Sequence, residues 1–317
     1  MFDEIDALTR ANREQRDAER EHRLVKLRHL AGIQLVDHAP DDPEFATPAF
    51  DALPGGSIPP EIGPGALTPE LLRAAILRHG CLLVRELVER DEALGLADGI
   101  ERAFQARAAL AEGESAPAGY YEELAPDAPF QITEREWIEI GGGVLAVDSP
   151  KLCFDMVETF DRRGITELVR GYLGEQPELS GQKTTLRKAE PHVAGAWHQD
   201  GKFLGGVRSL NLWLSLSRCG DESPGLDIVP RRIDHIVKAG EEGTFFEIQV
   251  SDETVKEAAG DLGVMRPIFE PGDALFFDEL FLHQTGSDPS MPKPRYAIES
   301  WFFGPSAFPS KYVPLAA

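Results

Sequence analysis

The sequence is poor in cysteine and in basic residues, and both shortages narrow the range of functions. Its 317 residues include only three cysteines, Cys81, Cys153 and Cys219, which are far apart and form no C-x-x-C pair. We therefore predict reduced thiols in the core rather than disulfides or zinc ligands. Lysine and arginine number 32 against 54 acidic residues, which gives a net charge of −22. Such a surface repels phosphate backbones and anionic lipid, so we expect neither nucleic acid nor a membrane as a partner.

Long apolar segments are also missing. No hydrophobic run approaches the ~20 residues that a membrane span requires. The amino terminus, MFDEIDALTR, carries acids where a secretory signal needs a basic segment, and no apolar stretch follows it. A hydrophobic content of 42% with 27% charged residues is ordinary for a globular protein. We expect a cytoplasmic protein.

The amino-terminal fifth of the chain differs in composition from the rest. Residues 3–31 are dense in helix formers, with opposite charges spaced four residues apart, and predict a solvated helical arm. A dimerisation or docking element is the alternative interpretation. Residues 38–70 are rich in proline and glycine and predict an extended linker. We assign residues 1–67 to this arm and linker, and residues 68–317 to the main domain.

In the main domain, predicted helices precede predicted strands. Thr68 is a candidate N-cap, Pro69 suits the first helical position, and Gly80 suits the end of that helix. A buried strand, CLLVREL, and a second helix follow, and a further helix is predicted at 149–174. The predicted strands after residue 130 are EREWIEI, SGQKTTLRKA, SLNLWLSLS, GLDIVP, TFFEIQV, MRPIFE, DALFFDE and RYAIESWFF. Many short strands between turn clusters predict an α+β protein with a sandwich, barrel or jelly-roll core.

The segment AWHQDGKF at 196–203 contains the first candidate metal ligands. On a strand, His198 and Asp200 would point to the same face, so both can bind one cation. About one H-x-[D/E] triplet is expected by chance in this composition, so the pair needs support from its context. His283, six residues after the end of the predicted strand ALFF and 85 positions after His198, can supply a third ligand. Two histidines and one carboxylate with open positions form the ligand set of non-haem Fe(II) oxygenases.

A candidate anchor for an organic cosubstrate follows the third ligand. Such an iron centre needs electrons, usually from 2-oxoglutarate, whose distal carboxylate is held by a cation. Arg295 lies 12 residues after His283 on the next predicted strand. Its planar guanidinium can bind a carboxylate with two parallel hydrogen bonds. The hydroxyl of Thr285 can add a further hydrogen bond to the same carboxylate.

The stretch from about 180 to 304 resembles the phytanoyl-CoA dioxygenase family of Fe(II)/2-oxoglutarate oxygenases. The resemblance is carried by WHQDG (197–201), SLNLWLSLS (209–217), SPGLDIVPRR (223–232) and PGDALFFDELFLHQTG (271–286), in the family's order. With HGCLLVREL and the helix after it, the resemblance covers most of residues 68–304. The chain reads PRRIDH where family members often have P-G-S-H, and residues 1–67 match no part of the family.

The resemblance implies a double-stranded β-helix, or jelly-roll, core with flanking helices. It implies that His198, Asp200 and His283 bind Fe(II). It implies that Arg295 and Thr285 bind the carboxylate of 2-oxoglutarate. Trp213 and Gln182 would line the cosubstrate pocket.

The predicted activity is hydroxylation of an unactivated C–H bond in a small-molecule metabolite, which consumes O₂ and 2-oxoglutarate and releases succinate and CO₂. Desaturation, epoxidation and ring closure remain open, as does the oligomeric state. The alternative is a cupin-like metal-binding or isomerase protein that does not use 2-oxoglutarate, which Arg295 disfavours. The substrate is not readable from the sequence, and we expect the pocket to be lined by the 112–150 and 232–262 segments.

Overall fold

The fold combines helices with one large sheet and one small sheet. The structure is a computed structural model that describes residues 1–192, 195–205, 207–240, 244 and 246–317. The helices are α1 (Phe2–Glu14), α2 (Ala18–Asp37), α3 (Pro69–His79), α4 (Arg90–Ala111), α5 (Arg135–Ile140), α6 (Pro150–Arg162), α7 (Ile165–Leu173), α8 (Gly201–Leu204) and α9 (Asp252–Ala259). The strands are β1 (Glu61–Ile62), β2 (Cys81–Val84), β3 (Gly143–Leu145), β4 (Glu178–Ser180), β5 (Thr185–Ala189), β6 (Ser209–Ser215), β7 (Gly225–Ile228), β8 (Ala274–Phe277), β9 (His283–Gly286), β10 (Arg295–Phe303) and β11 (Pro314–Ala316).

The large sheet is built around its two longest strands. β6 and β10 pair antiparallel from Ala297 opposite Ser215 to Phe303 opposite Ser209. The main path through the large sheet is β1-β2-β8-β6-β10-β4-β11, with β5 paired to β10 and β3 paired to β5, while β7 and β9 form the small sheet. The predicted combination of helices with a β core is therefore confirmed. Among the described helices, none has both the length and the hydropathy of a membrane span.

The side chains of β6 point alternately into the hydrophobic core and into a cavity. Leu210, Leu212 and Leu214 are fully buried in the main hydrophobic cluster, which also contains residues of α3, α4 and α6. Asn211 and Trp213 project from the opposite face and line a cavity. Successive side chains of a strand point to opposite faces, so one strand supplies both surfaces. Each buried leucine contributes about 1.5–3 kcal/mol to stability.

Predicted boundaries are confirmed where local chemistry sets them. The Thr68 hydroxyl accepts a hydrogen bond from the backbone N–H of Leu71 at 3.2 Å, and Gly80 ends α3 at a φ of 84°. The helix predicted at 149–174 is instead two helices, because Gly164 adopts a left-handed conformation between them.

All three cysteines are free and buried, as predicted.

Three predicted strands are wrong. EREWIEI contains α5, and MRPIFE forms only isolated pairings at Met265 and Phe269. The strand predicted at 244–250 includes Phe245, which lies outside the described residues, and residues 246–250 contain no strand.

The prediction of a solvated amino-terminal arm is wrong for α2. Leu24, Val25 and Ala31 are buried where α2 packs against α6 and β11. The His29 Nδ1 lies 2.9 Å from the Pro314 carbonyl oxygen, and its Nε2 accepts a hydrogen bond from the backbone N–H of Asp127. This segment therefore packs on the main domain, although the division at residue 67 stays a prediction.

A buried carboxyl on β4 gives a prediction for stability. Neither oxygen of Glu178 has a hydrogen-bond partner among the described residues. Burial, and then repulsion by Glu175, raises the pKa of Glu178 to about 9. The folded state therefore keeps a proton that the unfolded chain loses above its ordinary pKa of about 4.5, so stability falls as the pH rises between these values. Between pH 6 and pH 8.5, the free energy of unfolding measured in urea should fall by about 2–3 kcal/mol more for the wild type than for Glu178→Gln. Equal losses would contradict the prediction.

Candidate metal centre and cavity

Two histidines are brought together by a pairing of their backbones. The N–H of His198 donates to the carbonyl of His283 at 3.0 Å, and the N–H of His283 donates back at 3.1 Å. This antiparallel bridge joins the segment before α8 to the start of β9 and places the two imidazole centroids 4.5 Å apart. Asp200 follows at the N-cap of α8, on the same side as His198. The three predicted ligands therefore converge.

The histidines present their Nε2 atoms to one carboxylate. His198 Nε2 lies 3.8 Å from Asp200 Oδ1, and His283 Nε2 lies 3.7 Å from Asp200 Oδ2. The Nδ1 atoms face backbone carbonyl oxygens instead, that of Ala196 at 2.7 Å and that of Phe281 at 3.0 Å. An Nδ1–H that donates to a carbonyl fixes the tautomer in which Nε2 carries the lone pair, as is usual for metal-ligating histidine.

The electrostatics of this site favour a cation. Burial, and then the neighbouring His198, lowers the pKa of His283 to about 4, so its imidazole is neutral at physiological pH. Asp200 Oδ2 is buried and has no hydrogen-bond partner within the described ranges. The ligating atoms all lie within 4.8 Å of one another, and no other such group of three is found among the described residues. Two imidazoles and a carboxylate suit a divalent transition metal.

The three ligands lie in a cavity of about 580 Å³. Its inner lining comes from both sheets, and its outer lining comes from α5, α8, the 246–248 segment and the carboxyl terminus. The other lining residues are Glu134, Trp137, Ile138, Lys183, Thr185, Arg187, Phe203, Asn211, Trp213, Leu226, Phe246, Glu247, Ile248, Phe277, Thr285, Glu299, Trp301 and Tyr312. The predicted 112–150 and 232–262 segments both contribute.

A larger groove of about 850 Å³ lies elsewhere, between residues 231–238 and α9, and contains none of the three ligands. It contains the charged residues of the PRRIDH sequence. Arg232 donates to Asp278 at 2.5 Å, and His235 lies 2.9 Å from the Asp234 carboxylate. These side chains are thus tied to protein carboxylates outside the cavity of the triad.

Arg295 is enclosed beside the cavity with unused donors. It is 0% exposed, and its Nη1 donates to the Gly225 carbonyl at 2.9 Å. Its Nε and Nη2 have no hydrogen-bond partner among the described residues. Nη2 lies 3.7 Å from Glu299 Oε1, and the guanidinium lies 5.2 Å from the Trp213 ring centroid. Burial lowers the pKa of Arg295. Trp213 and Thr285 line the cavity, whereas Arg295 lies behind the Trp213 ring and is not itself a lining residue.

The prediction that Gln182 lines this cavity is wrong. Gln182 is buried, and its amide lies beside the carbonyl oxygens of Lys311 and Gln131. With the amide nitrogen turned towards them, it donates to both at 3.0 Å. Gln182 therefore ties the turn between β4 and β5 to two neighbouring loops.

The sequence analysis missed an ion pair in the cavity wall. Arg187 of β5 binds Glu299 of β10 with two hydrogen bonds, at 3.0 Å and 2.7 Å, and its Nη1 donates to the Gly141 carbonyl at 2.7 Å. Burial would raise the pKa of Glu299, but the Arg187 guanidinium outweighs burial and the pKa is lowered. The spacing of Arg295 and Glu299, which puts both on one face of a strand, could have indicated Glu299, but Arg187 is 112 residues away in sequence and no local pattern indicates it.

No protein-family model and no curated protein sequence matches the chain. Among solved structures, EctD from S. alaskensis with bound Fe is similar over 77% of this chain and 80% of its own, with a TM-score of 0.52 and 18% identity. EctD with 2-oxoglutarate and 5-hydroxyectoine is similar over 86% and 89%, with a TM-score of 0.50 and 18% identity. AviO1 from Streptomyces viridochromogenes Tue57 is similar over 77% and 98%, with a TM-score of 0.48 and 18% identity. At this identity the likeness to EctD concerns the fold alone.

Proposed function

We propose that the protein is an Fe(II)- and 2-oxoglutarate-dependent oxygenase with a double-stranded β-helix core, of the phytanoyl-CoA dioxygenase type, acting on a small molecule in the cytoplasm. The observation that carries the proposal is the convergence of His198, Asp200 and His283, with both Nε2 atoms directed at one carboxylate. The similar fold of EctD, whose structures hold Fe or 2-oxoglutarate, supports it.

The donor set of the triad fits Fe(II). Neutral imidazole and carboxylate ligands suit a redox-active divalent ion better than thiolates would, and three protein ligands leave positions open for exogenous ligands. The Asp200 carboxylate would neutralise part of the charge of a bound metal ion. The backbone carbonyls that accept from Nδ1 hold both rings in the ligating orientation.

The surroundings of Arg295 fit the distal carboxylate of 2-oxoglutarate. A buried guanidinium with two unpaired donors is costly unless an anion binds it. Thr285 lines the adjacent wall on β9, two residues after the ligand His283, and offers a hydroxyl donor. The Trp213 ring next to the guanidinium supplies an apolar wall that excludes water from the pair.

Bound Fe(II) with 2-oxoglutarate would supply O₂ activation and oxidation of a substrate C–H bond, with release of succinate and CO₂. The protein's own side chains would orient the metal and 2-oxoglutarate and exclude water from the site. The ring centroid of Phe277 lies 4.8 Å from that of His283 and 6.1 Å from that of Trp301. Aromatic rings therefore close one side of the metal centre. We propose hydroxylation as the outcome.

The proposal is tested with the purified protein in two steps. Under anaerobic conditions, Fe(II) and 2-oxoglutarate together should produce the visible charge-transfer absorption of a chelated keto acid. With O₂, labelled 2-oxoglutarate should yield CO₂ and succinate in equal amounts. Stoichiometric metal binding without either signal would favour a cupin-like metal-binding or isomerase protein, and failure to bind iron at all would refute the proposal.

The Arg187–Glu299 pair gives a prediction for cosubstrate affinity. Arg187→Met frees the Glu299 carboxylate, which already lies 3.7 Å from Arg295 Nη2, to pair with Arg295 and compete with 2-oxoglutarate. We expect the KM for 2-oxoglutarate to rise about 10- to 100-fold, as is typical when residues supporting a site are lost. Steady-state kinetics measure this effect. The double variant Arg187→Met/Glu299→Gln should recover most of the affinity, and an unchanged KM in the single variant would contradict the prediction.

A further inference from the structure

The outer part of the cavity exposes large aromatic side chains to solvent. Trp137 of α5 is 61% exposed and Phe246 is 48% exposed, yet both line the cavity. Their ring centroids are 6.2 Å apart with an interplanar angle of 78°, an edge-to-face arrangement. Exposed apolar surface grouped at the mouth of a cavity marks a binding surface, because it gains stability only when a ligand covers it.

The helix that carries Trp137 is held firmly in place. Arg135, at the start of α5, binds the Asp148 carboxylate at 2.8 Å and donates to the Leu124 carbonyl at 2.8 Å. Just after the helix, the Gly141 carbonyl accepts from Arg187, whose side chain also binds β10. The Trp137 ring is therefore presented by a short helix that is anchored at both ends, which lowers the entropic cost of binding.

A second aromatic group continues the lining towards the metal centre. Phe203 lies on α8, three residues after the ligand Asp200, and Tyr312 comes from the carboxyl-terminal segment. Lys183 Nζ lies 4.7 Å from the Phe203 ring centroid and 5.6 Å from that of Tyr312. The same Nζ lies 3.4 Å from Glu134 Oε2, so its charge is balanced by a protein carboxylate.

The charge of this outer part disfavours anions. Apart from the metal ligand Asp200 and the Arg187–Glu299 pair, the charged residues of the cavity lining are Lys183, Glu134 and Glu247, so the formal sum is 1 − 2 = −1. The chain as a whole carries −22. The volume of about 580 Å³ lies within the range that encloses a drug-sized molecule.

We propose that the substrate is an uncharged or cationic, mainly apolar molecule with an aromatic or other planar ring system, which binds among Trp137, Phe246, Phe203 and Tyr312. Aromatic contacts of this kind favour binding beyond what the burial of apolar area alone provides. The inference rests on the proposed function, because the same cavity contains the candidate iron ligands.

Two probes with one ring skeleton test this substrate class. N-phenyl-1-naphthylamine is uncharged, and 8-anilinonaphthalene-1-sulfonate adds a single sulfonate. In fluorescence titrations of the full chain loaded with Zn(II), the uncharged probe should bind one site at least about tenfold more tightly than the sulfonate. Trp137→Ala and Phe246→Ala should each weaken that binding about tenfold. Ile140→Ala is the matched control, because Ile140 is 65% exposed on the same helix but does not line the cavity.

A second measurement locates the probe. With Mn(II) in place of Zn(II), the bound probe's proton relaxation should increase strongly, and this increase should be lost in Trp137→Ala. The inference is overturned if the uncharged probe does not bind, if the sulfonate binds as tightly, if Trp137→Ala behaves like Ile140→Ala, or if Mn(II) has no effect. The charge-transfer absorption with Fe(II) and 2-oxoglutarate is recorded on the same proteins. If it persists while the probe results fail, only the substrate class is wrong; if it is absent, the proposed function fails.

Discussion

Asp200→Ala is expected to remove bound iron and to lower 2-oxoglutarate turnover by about 100- to 1000-fold, equivalent to the loss of several kcal/mol of metal-based stabilisation. Asp200 is the only carboxylate of the triad, and the Nε2 atoms of both histidines face its oxygens. Without it, two neutral imidazoles remain to hold a doubly charged ion. Iron content per chain and the release of labelled CO₂ measure the effect.

The matched control is a second carboxylate next to a histidine. Asp234 lies 2.9 Å from His235, but its side chain is 88% exposed in the groove between residues 231–238 and α9. Asp234→Ala should keep both iron and turnover. If instead Asp200→Ala retained a full equivalent of iron with normal turnover, the assignment of the metal centre would be wrong.

The metal ligands were predictable because local patterns set their positions. The spacing of His198 and Asp200 keeps both side chains on one side of the chain, and the apolar run before His283 predicts the strand that leads to it. The feature that unites them, the backbone bridge between His198 and His283, needs the tertiary fold, so the sequence predicted convergence but not its geometry.

The part of the cavity wall formed by α5 was harder to predict because distant contacts determine its structure. EREWIEI reads as a strand, since it combines aromatic and β-branched residues over a length too short to separate helix from strand. In the structure it is a helix, fixed by Arg135 to Asp148 and by Gly141 to Arg187. None of these partners is within ten residues of the side chain it binds, so no local pattern reveals them.

The packing of α2 was missed for a similar reason. Gly32 approaches the backbone of Pro314 so closely that a Cβ would lie 2.8 Å from its carbonyl carbon. The partner is at the other end of the chain, and α2 shows only a weak apolar stripe. The many charged helix-forming residues lie on the exposed face of this helix, so the sequence pattern does not reveal the face that packs.

Arg295→Met is expected to separate cosubstrate binding from stability. The variant keeps a similar volume but removes a fully buried guanidinium whose Nε and Nη2 have no partner among the described residues. Replacing buried ionic groups by apolar side chains of similar volume is commonly neutral or stabilising by about 1–4 kcal/mol when no charge is left unpaired, and Glu299 keeps its two hydrogen bonds from Arg187. The KM for 2-oxoglutarate should rise at least about 100-fold, because two charge-assisted hydrogen bonds are lost. Thermal unfolding and steady-state kinetics measure the two effects.

A loss of affinity for 2-oxoglutarate without a loss of stability distinguishes a binding role of Arg295 from a structural role. An arginine that only supported the fold would lose stability on substitution and leave the response to 2-oxoglutarate intact. At 100 times the Kd, 2-oxoglutarate should stabilise the wild type by about 2.7 kcal/mol, and the same concentration should not stabilise Arg295→Met. Arg231→Met, at an exposed arginine of the neighbouring groove, should behave like the wild type. A variant at 295 that is destabilised yet still stabilised by 2-oxoglutarate would show that Arg295 supports the fold and does not bind the keto acid.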